Sequence, residues 1–185
     1  MLRDVEAVLL TGGQSKRMGQ DKASLIIHGE PMGRRIAREL AAAVEKTTVL
    51  GREAIPGYAF QLDEEEFGGP RSALRAFTPS LAYVFVASCD LPLFRSEIVG
   101  FLRERIDGFE AAICRCEGEL QPLCALYARS AFDSLVASPA SERRLIRWVE
   151  QLRLREVDDE ELRLGGIDPR WVRSANTAGE LERLL

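Results

Sequence analysis

Two rhythms of apolar and polar positions alternate along the chain. Short unbroken apolar runs end at glycines or polar turns, and between them apolar residues recur every three to four positions. Residues 5–10 (VEAVLL) form a run of the first kind and stop at Thr11-Gly12-Gly13; bounded runs of this length predict buried strands. A polar loop, QSKRMGQDK, follows, and then residues 23–27. Pro31 opens a helix expected to reach Val44, because proline is tolerated in a first helical turn; within it Ile36, Leu40 and Val44 fall at helical spacing. Residues 47–50 and 58–62 read as the second and third strands.

The clearest strand is 81–87 (LAYVFVA), nearly all apolar and rich in β-branched and aromatic side chains. A run apolar on both faces suits a central strand of a covered parallel sheet. Ser96 then starts a helix through IVGFLRERI, with Glu97 in its first turn and arginines later, as the helix dipole prefers. Residues 111–114 and 122–127 are further strands. Helices are expected over 131–136, 142–152 and 178–185, and the acidic stretch 158–161 reads as a solvated turn. Alternating strands and helices predict an α/β fold: a three-layer sandwich around a mostly parallel sheet, with all of 1–185 in one domain. In such sheets ligands collect at the carboxyl ends of the strands.

Composition narrows the class. With 185 residues, 46 % hydrophobic and 29 % charged, the chain can bury a full core. No stretch approaches the roughly 20 apolar residues of a membrane span, and Asp4 and Glu6 sit where a secretory leader would be basic. A cytoplasmic protein is expected, with no membrane contact. The net charge of -4 gives no general reason to expect a nucleic-acid partner. Cys89, Cys114, Cys116 and Cys124 lack zinc-site spacing, and the lone His28 is distant. They are expected as reduced, small apolar residues, with Cys114 and Cys116 on alternate faces of a strand.

The string Leu10-Thr11-Gly12-Gly13-Gln14-Ser15-Lys16-Arg17-Met18-Gly19-Gln20-Asp21-Lys22 stands apart. A strand stops at two glycines, and a loop with three cations follows. Glycines let backbone approach a ligand closely, and successive backbone N–H groups can cradle phosphate oxygens. Arg17 can hold phosphate through its planar fork, and Lys22 as a point charge. The spacing is neither G-x-G-x-x-G nor a P-loop. A second group, Ser88-Cys89-Asp90-Leu91-Pro92, follows the strongest strand; a carboxylate there suits Mg²⁺, which prefers oxygen and bridges substrate phosphates.

The first string resembles the signature loop of the molybdopterin nucleotidyltransferases, L-x-G-G-x-S-x-R-M-G-x-D-K, and matches every fixed position. Its Asp-Lys ending fits best with the guanylyltransferases of that family. The resemblance runs from about residue 5 to 185 and implies a Rossmann-like nucleotidyltransferase fold. It also implies transfer of GMP from GTP to molybdopterin. By it, Leu10, Thr11, Gly12, Gly13, Lys22, Asp63 and Asp90 bind nucleotide. Asp90 holds Mg²⁺ against the α-phosphate, and Arg17, Lys22 and Asp90 are catalytic. Gln121 and Pro122 in Q-P-L-x-A-L-Y, with Asn176, face the acceptor. A carboxylate at Asp63, facing the N1 and N2 donors of guanine, would favour G over A. Transient contact with molybdoenzymes or other cofactor-biosynthesis proteins also goes with the resemblance.

Three positions depart from the family pattern. Arg71 stands where leucine is usual after Gly68-Gly69-Pro70, Ser174 replaces the first asparagine of N-x-N-T, and Gly51-Arg52 replaces a base-touching asparagine. Asn176 could equally cap the last helix. A CTP-using sibling, an enzyme for another phosphorylated acceptor and a non-catalytic nucleotide-binding homologue are the alternatives.

Overall fold

The structure is a computed structural model that describes residues 1–12, 22–63, 65 and 68–185. In chain order it contains β1 (Leu2–Leu10), β2 (Ile26–Ile27), β3 (Glu30–Pro31), α1 (Met32–Ala43), β4 (Val44–Gly51), β5 (Ala59–Leu62) and α2 (Gly69–Ala76). Then come β6 (Tyr83–Ser88), α3 (Glu97–Arg103), β7 (Ala111–Cys116), β8 (Glu119–Ala128), α4 (Arg129–Ala137), α5 (Leu145–Val149), β9 (Leu154–Asp158), α6 (Asp159–Leu164) and α7 (Ala178–Leu184). Single 3-10 turns lie at Lys22–Ser24 and Pro169–Val172. No helix among the described residues is long and apolar enough to cross a membrane.

Among the described residues, seven strands form one sheet in the order β5-β4-β1-β6-β8-β7-β9. Only β8 opposes its two neighbours, β6 and β7; β1, β4, β5 and β6 pair in parallel, as do β7 and β9. The expected central strand is indeed the fourth of the seven. Leu10 pairs with Leu50 on one side and Ser88 on the other, so β1, β4 and β6 end at one level. The β-branched and aromatic residues of these strands are buried on both sheet faces, apart from the partly exposed Tyr83 at the start of β6. One core layer holds Val5, Ala7 and Leu9 against α1, α3 and α6; the other holds Val8 and Leu10 against α2, α4 and α5. That is the expected three-layer sandwich.

The chain moves outward from β1 to β4 and β5, then returns to place β6 on β1's other side. With α1 on one face and α2 on the other, the connections diverge and leave a crevice at the carboxyl ends of β1 and β6.

Several local readings are corrected. The acidic stretch 158–161 is not a free turn. Asp158 caps α6 by accepting from Glu161 N–H at 2.8 Å, and the acids that follow fill the first turn, where the helix dipole stabilises negative charge. The helix expected over 142–152 is confined to α5, and α3 stops at Arg103. Cys114 and Cys116 do not alternate. Two residues is one full strand period, so both join Cys124 in the same core layer. All four cysteines are free and buried, and burial pushes the Cys114 thiol up to about 12, which leaves it inert. Arg71 is buried too, at 2 % exposure. Its guanidinium donates to Ser138 Oγ and the Glu142 carbonyl, joining α2 to the loop between α4 and α5.

Glu6 is fully buried in the middle of β1. It accepts from Leu81 N–H at 2.8 Å, from Ser80 N–H and Oγ, and pairs with Lys46 Nζ at 3.1 Å. Burial alone would raise its pKa. The backbone donors of Leu81 and Ser80, with Lys46, outweigh burial and hold it below the ordinary 4.5. Glu6→Ala should cost about 2–4 kcal/mol in urea unfolding at neutral pH, because it strands buried backbone donors. The depressed carboxyl stabilises fully above its unfolded pKa. The stability gap between wild type and Glu6→Gln should therefore hold above pH 4.5 and close as pH falls through the lower folded value.

Candidate active site

The site is assembled where the strands stop. Leu10 is buried, and its carbonyl accepts from Cys89 N–H at 3.0 Å, which ties the end of β1 to the segment carrying Asp90. On β1's other side, Thr11 N–H reaches the Leu50 carbonyl at 3.0 Å. Gly51 closes β4 directly against this turn. A Cβ there would collide with Thr11 Oγ1 and lie 3.0 Å from Gly12 N, so a side chain at this position would force the Thr11 turn to shift. The Gly51 carbonyl in turn accepts from Asp63 N–H at 2.9 Å. Asp63 Oδ2 stands 3.5 Å from where a Gly12 Cβ would sit.

Lys22 is positioned from the other direction. Its 3-10 turn packs on α1, where a Cβ on Gly33 would come within 3.1 Å of Ala23 Cβ. Lys22 Nζ donates to the Ala175 carbonyl at 3.0 Å and to Asn176 Oδ1 at 2.9 Å, and lies 3.5 Å from Asp90 Oδ2. The side chains of Lys22 and Asp90 are 16 % and 17 % exposed, enclosed but reachable. Asp90 Oδ1 accepts from Ser88 Oγ, and the Asp90 carbonyl accepts from Ala175 N–H at 2.8 Å. Residues 22, 90 and 175–176 thus converge on one point at the crevice.

Asn176 does not cap the last helix. Thr177 does so through Oγ1, while Glu180 reaches back to the Asn176 N–H at 2.6 Å, leaving the Asn176 amide oxygen for Lys22. Gln121 and Pro122 lie on β8 beyond Cys124, which pairs with Ala87. Because β8 runs against β6, they stand at the same sheet edge as Asp90. Their hydrogen bonds are local: Gln121 Nε2 donates to the Glu119 carbonyl, and the Pro122 carbonyl accepts from Tyr127 Oη. Gly13 and Arg17 lie outside the described residues.

A cleft of about 490 Å³ opens beside this point. Thr11, Gly12, Ala23 and Ser24 form its inner wall, and Pro31, Arg34, Arg52, Glu53, Ala54, Ile55 and Pro56 the remainder. The volume is that of an ordinary small-molecule site.

Sequence reasoning did not find Arg35 and Glu39. Arg35 is 7 % exposed and donates to the carbonyls of Pro92 (2.6 Å) and Phe94 (3.1 Å). Glu39 accepts from Ser96 N–H at 3.1 Å. Together they fasten α1 to the segment that follows Asp90. The signal was present: 32, 35, 36, 39 and 40 form one helical stripe, so both charges share the buried face with Met32, Ile36 and Leu40.

Strand order, switch-point crevice and a cation beside a carboxylate at its mouth are the plan of an α/β nucleotide-binding enzyme. Residues 7–157 match the MobA-like NTP transferase domain, and the chain belongs to that family of nucleotidyltransferases. It is 31 % identical over 163 residues to a probable molybdenum cofactor guanylyltransferase of Pelotomaculum thermopropionicum, covering 84 % of this chain and 80 % of the relative. It is 32 % identical over 156 residues to the molybdenum cofactor guanylyltransferase of Rhizobium meliloti, covering 76 % and 72 %. Its fold matches that of molybdopterin-guanine dinucleotide biosynthesis protein A from Archaeoglobus fulgidus. There the TM-score is 0.81 at 22 % identity, over 97 % of this chain and 96 % of that one.

Arg35→Met should leave the carbonyls of Pro92 and Phe94 without their donor and cost about 1.5–3 kcal/mol in urea unfolding. Arg35→Lys should recover only part of this, since an ammonium cannot reproduce the two-pronged guanidinium.

Proposed function

We propose that this protein is a molybdenum cofactor guanylyltransferase, which joins GMP from GTP to molybdopterin and releases pyrophosphate. The observation that carries this reading is the 3.5 Å approach of Lys22 Nζ to Asp90 Oδ2, at the switch-point crevice and beside a nucleotide-sized cleft. Membership of the NTP transferase family, and relatives named for guanylyl transfer, support the choice of donor and acceptor.

The donor set suits Mg²⁺. That ion is commonly held by one or two carboxylates together with substrate phosphates and water. The Asp90 side chain is partly exposed, with Oδ2 facing Lys22 while Ser88 engages Oδ1. Among the described residues no three His, Cys, Asp or Glu groups gather into an all-protein cage, which accords with an ion that shares its ligands with substrate. In this reading Asp90 holds Mg²⁺, which supplies neutralisation of triphosphate charge.

The remaining work falls to the chain itself. Ala175 O and Asn176 Oδ1 hold the Lys22 ammonium in place before substrate arrives. A positive group fixed beside developing negative charge stabilises the transition state without reorganising. Gly12 and Thr11 form the wall against which the nucleotide lies, and Gly13 and Arg17 are assigned the phosphate contacts expected of them. An acceptor phosphate oxygen then bonds to the α-phosphorus as the α–β bridging bond breaks, and pyrophosphate leaves with that electron pair. A terminal phosphate is already ionised near neutral pH, so no general base is required. Catalysis is positioning and charge neutralisation.

Lys22→Ala and Asp90→Ala should each slow pyrophosphate release from GTP, with Mg²⁺ and molybdopterin present, by at least about 100-fold. Their melting temperatures should stay close to wild type. Unchanged turnover in both variants would contradict the site, and turnover with CTP but not GTP would transfer the reading to cytidylyl transfer.

A further inference from the structure

Among the described residues, the cleft beside Lys22 has one carboxylate on its wall, Glu53, and it is not Asp63. Asp63 stands at the end of β5 with its carboxylate beside Gly12, whereas the cleft wall after β4 is formed by Arg52, Glu53, Ala54, Ile55 and Pro56. Packing of the β1 turn dictates this arrangement. Gly51 is packed tightly against Thr11 and Gly12, and the side chains that line the cleft after this strand are those of the next residues. Pro31, Ile55 and Pro56 add apolar surface to the lining, suited to the flat face of a base. Glu53 is exposed and makes no hydrogen bond or ion pair with another described residue.

We propose that Glu53 is the residue that selects guanine. The inference rests on the GTP-dependent reading above and relocates base recognition from Asp63 to the cleft wall. A carboxylate presents two acceptor oxygens and no donor. Its matching partner is an edge with two adjacent donors. Among the common bases guanine alone provides this, through N1–H and the N2 amino group. Adenine and cytosine each offer one exocyclic amine next to a ring acceptor, which would face the carboxylate lone pair to lone pair. Inosine keeps N1–H and lacks the N2 amine, so it isolates half of the interaction. A site built to hydrogen-bond a particular group discriminates strongly against ligands that lack it.

The test compares nucleotides on the full-length protein with Mg²⁺, by competition against a fluorescent GTP analogue and by pyrophosphate release with molybdopterin. Wild type should prefer GTP over ITP by at least about 10-fold, and over CTP by more. Glu53→Gln places an amide donor against guanine's donors. It should bring the GTP/ITP ratio to within about 3-fold of one through weaker GTP binding, with ITP binding and melting temperature little changed. Glu53→Asp should restore part of the ratio. An unchanged GTP/ITP ratio in Glu53→Gln would overturn the proposal, as would a ratio erased by Asp63→Asn alone. Failure of the underlying reading looks different: wild type itself would then bind neither GTP nor ITP, or would prefer CTP.

Discussion

Everything at the active edge depends on one ammonium group with three neighbours remote in sequence. Lys22 Nζ meets the carbonyl of Ala175, the amide of Asn176 and the carboxylate of Asp90. The pair alone would stabilise the fold little, since ion pairs within reach of solvent contribute about 1 kcal/mol. Its importance is geometric. It fixes where the loop after β1, the loop after β6 and the segment before α7 meet, and so where the crevice opens. The sheet makes this possible by ending β1, β4 and β6 in register at Leu10, Leu50 and Ser88.

Across the fold, buried charged groups are held largely by backbone. Arg35 grips two carbonyls beyond Asp90, Arg71 grips the loop between α4 and α5, and Glu6 holds the N–H groups that lead into β6. Each replaces the hydrogen bonds that a loop would otherwise make with water. Arg35 thereby fixes the segment that follows Asp90 while Lys22 and Asp90 stay reachable, a combination that suits a site working by preorganisation.

Much of the sandwich was legible in the sequence because its strands are short apolar runs and its longest helix, α1, has a clear apolar period. Local chemistry was harder to read. The acids at 158–161 look like a solvated turn until β9 is known to end there, and β9 itself (LREVD) has too few apolar residues to stand out. Of the site, Lys22 and Asp90 were legible from their places after strands, and their contact confirms that those two loops meet. Asn176 was harder: whether it caps or contacts depends on Thr177, one residue away, taking the cap. Arg35 and Glu39 were hidden by their charge, and Glu53 by the absence of any motif around it. Its place on the cleft wall comes from the turn that follows β4.

The most direct measurement is a crystal structure of the protein with GTP and Mg²⁺. The account predicts the triphosphate at the crevice mouth between Lys22 and Asp90, with the base in the cleft walled by Thr11, Gly12 and residues 52–56. A nucleotide bound elsewhere, with Lys22 still engaged only by Asp90, Ala175 and Asn176, would contradict it.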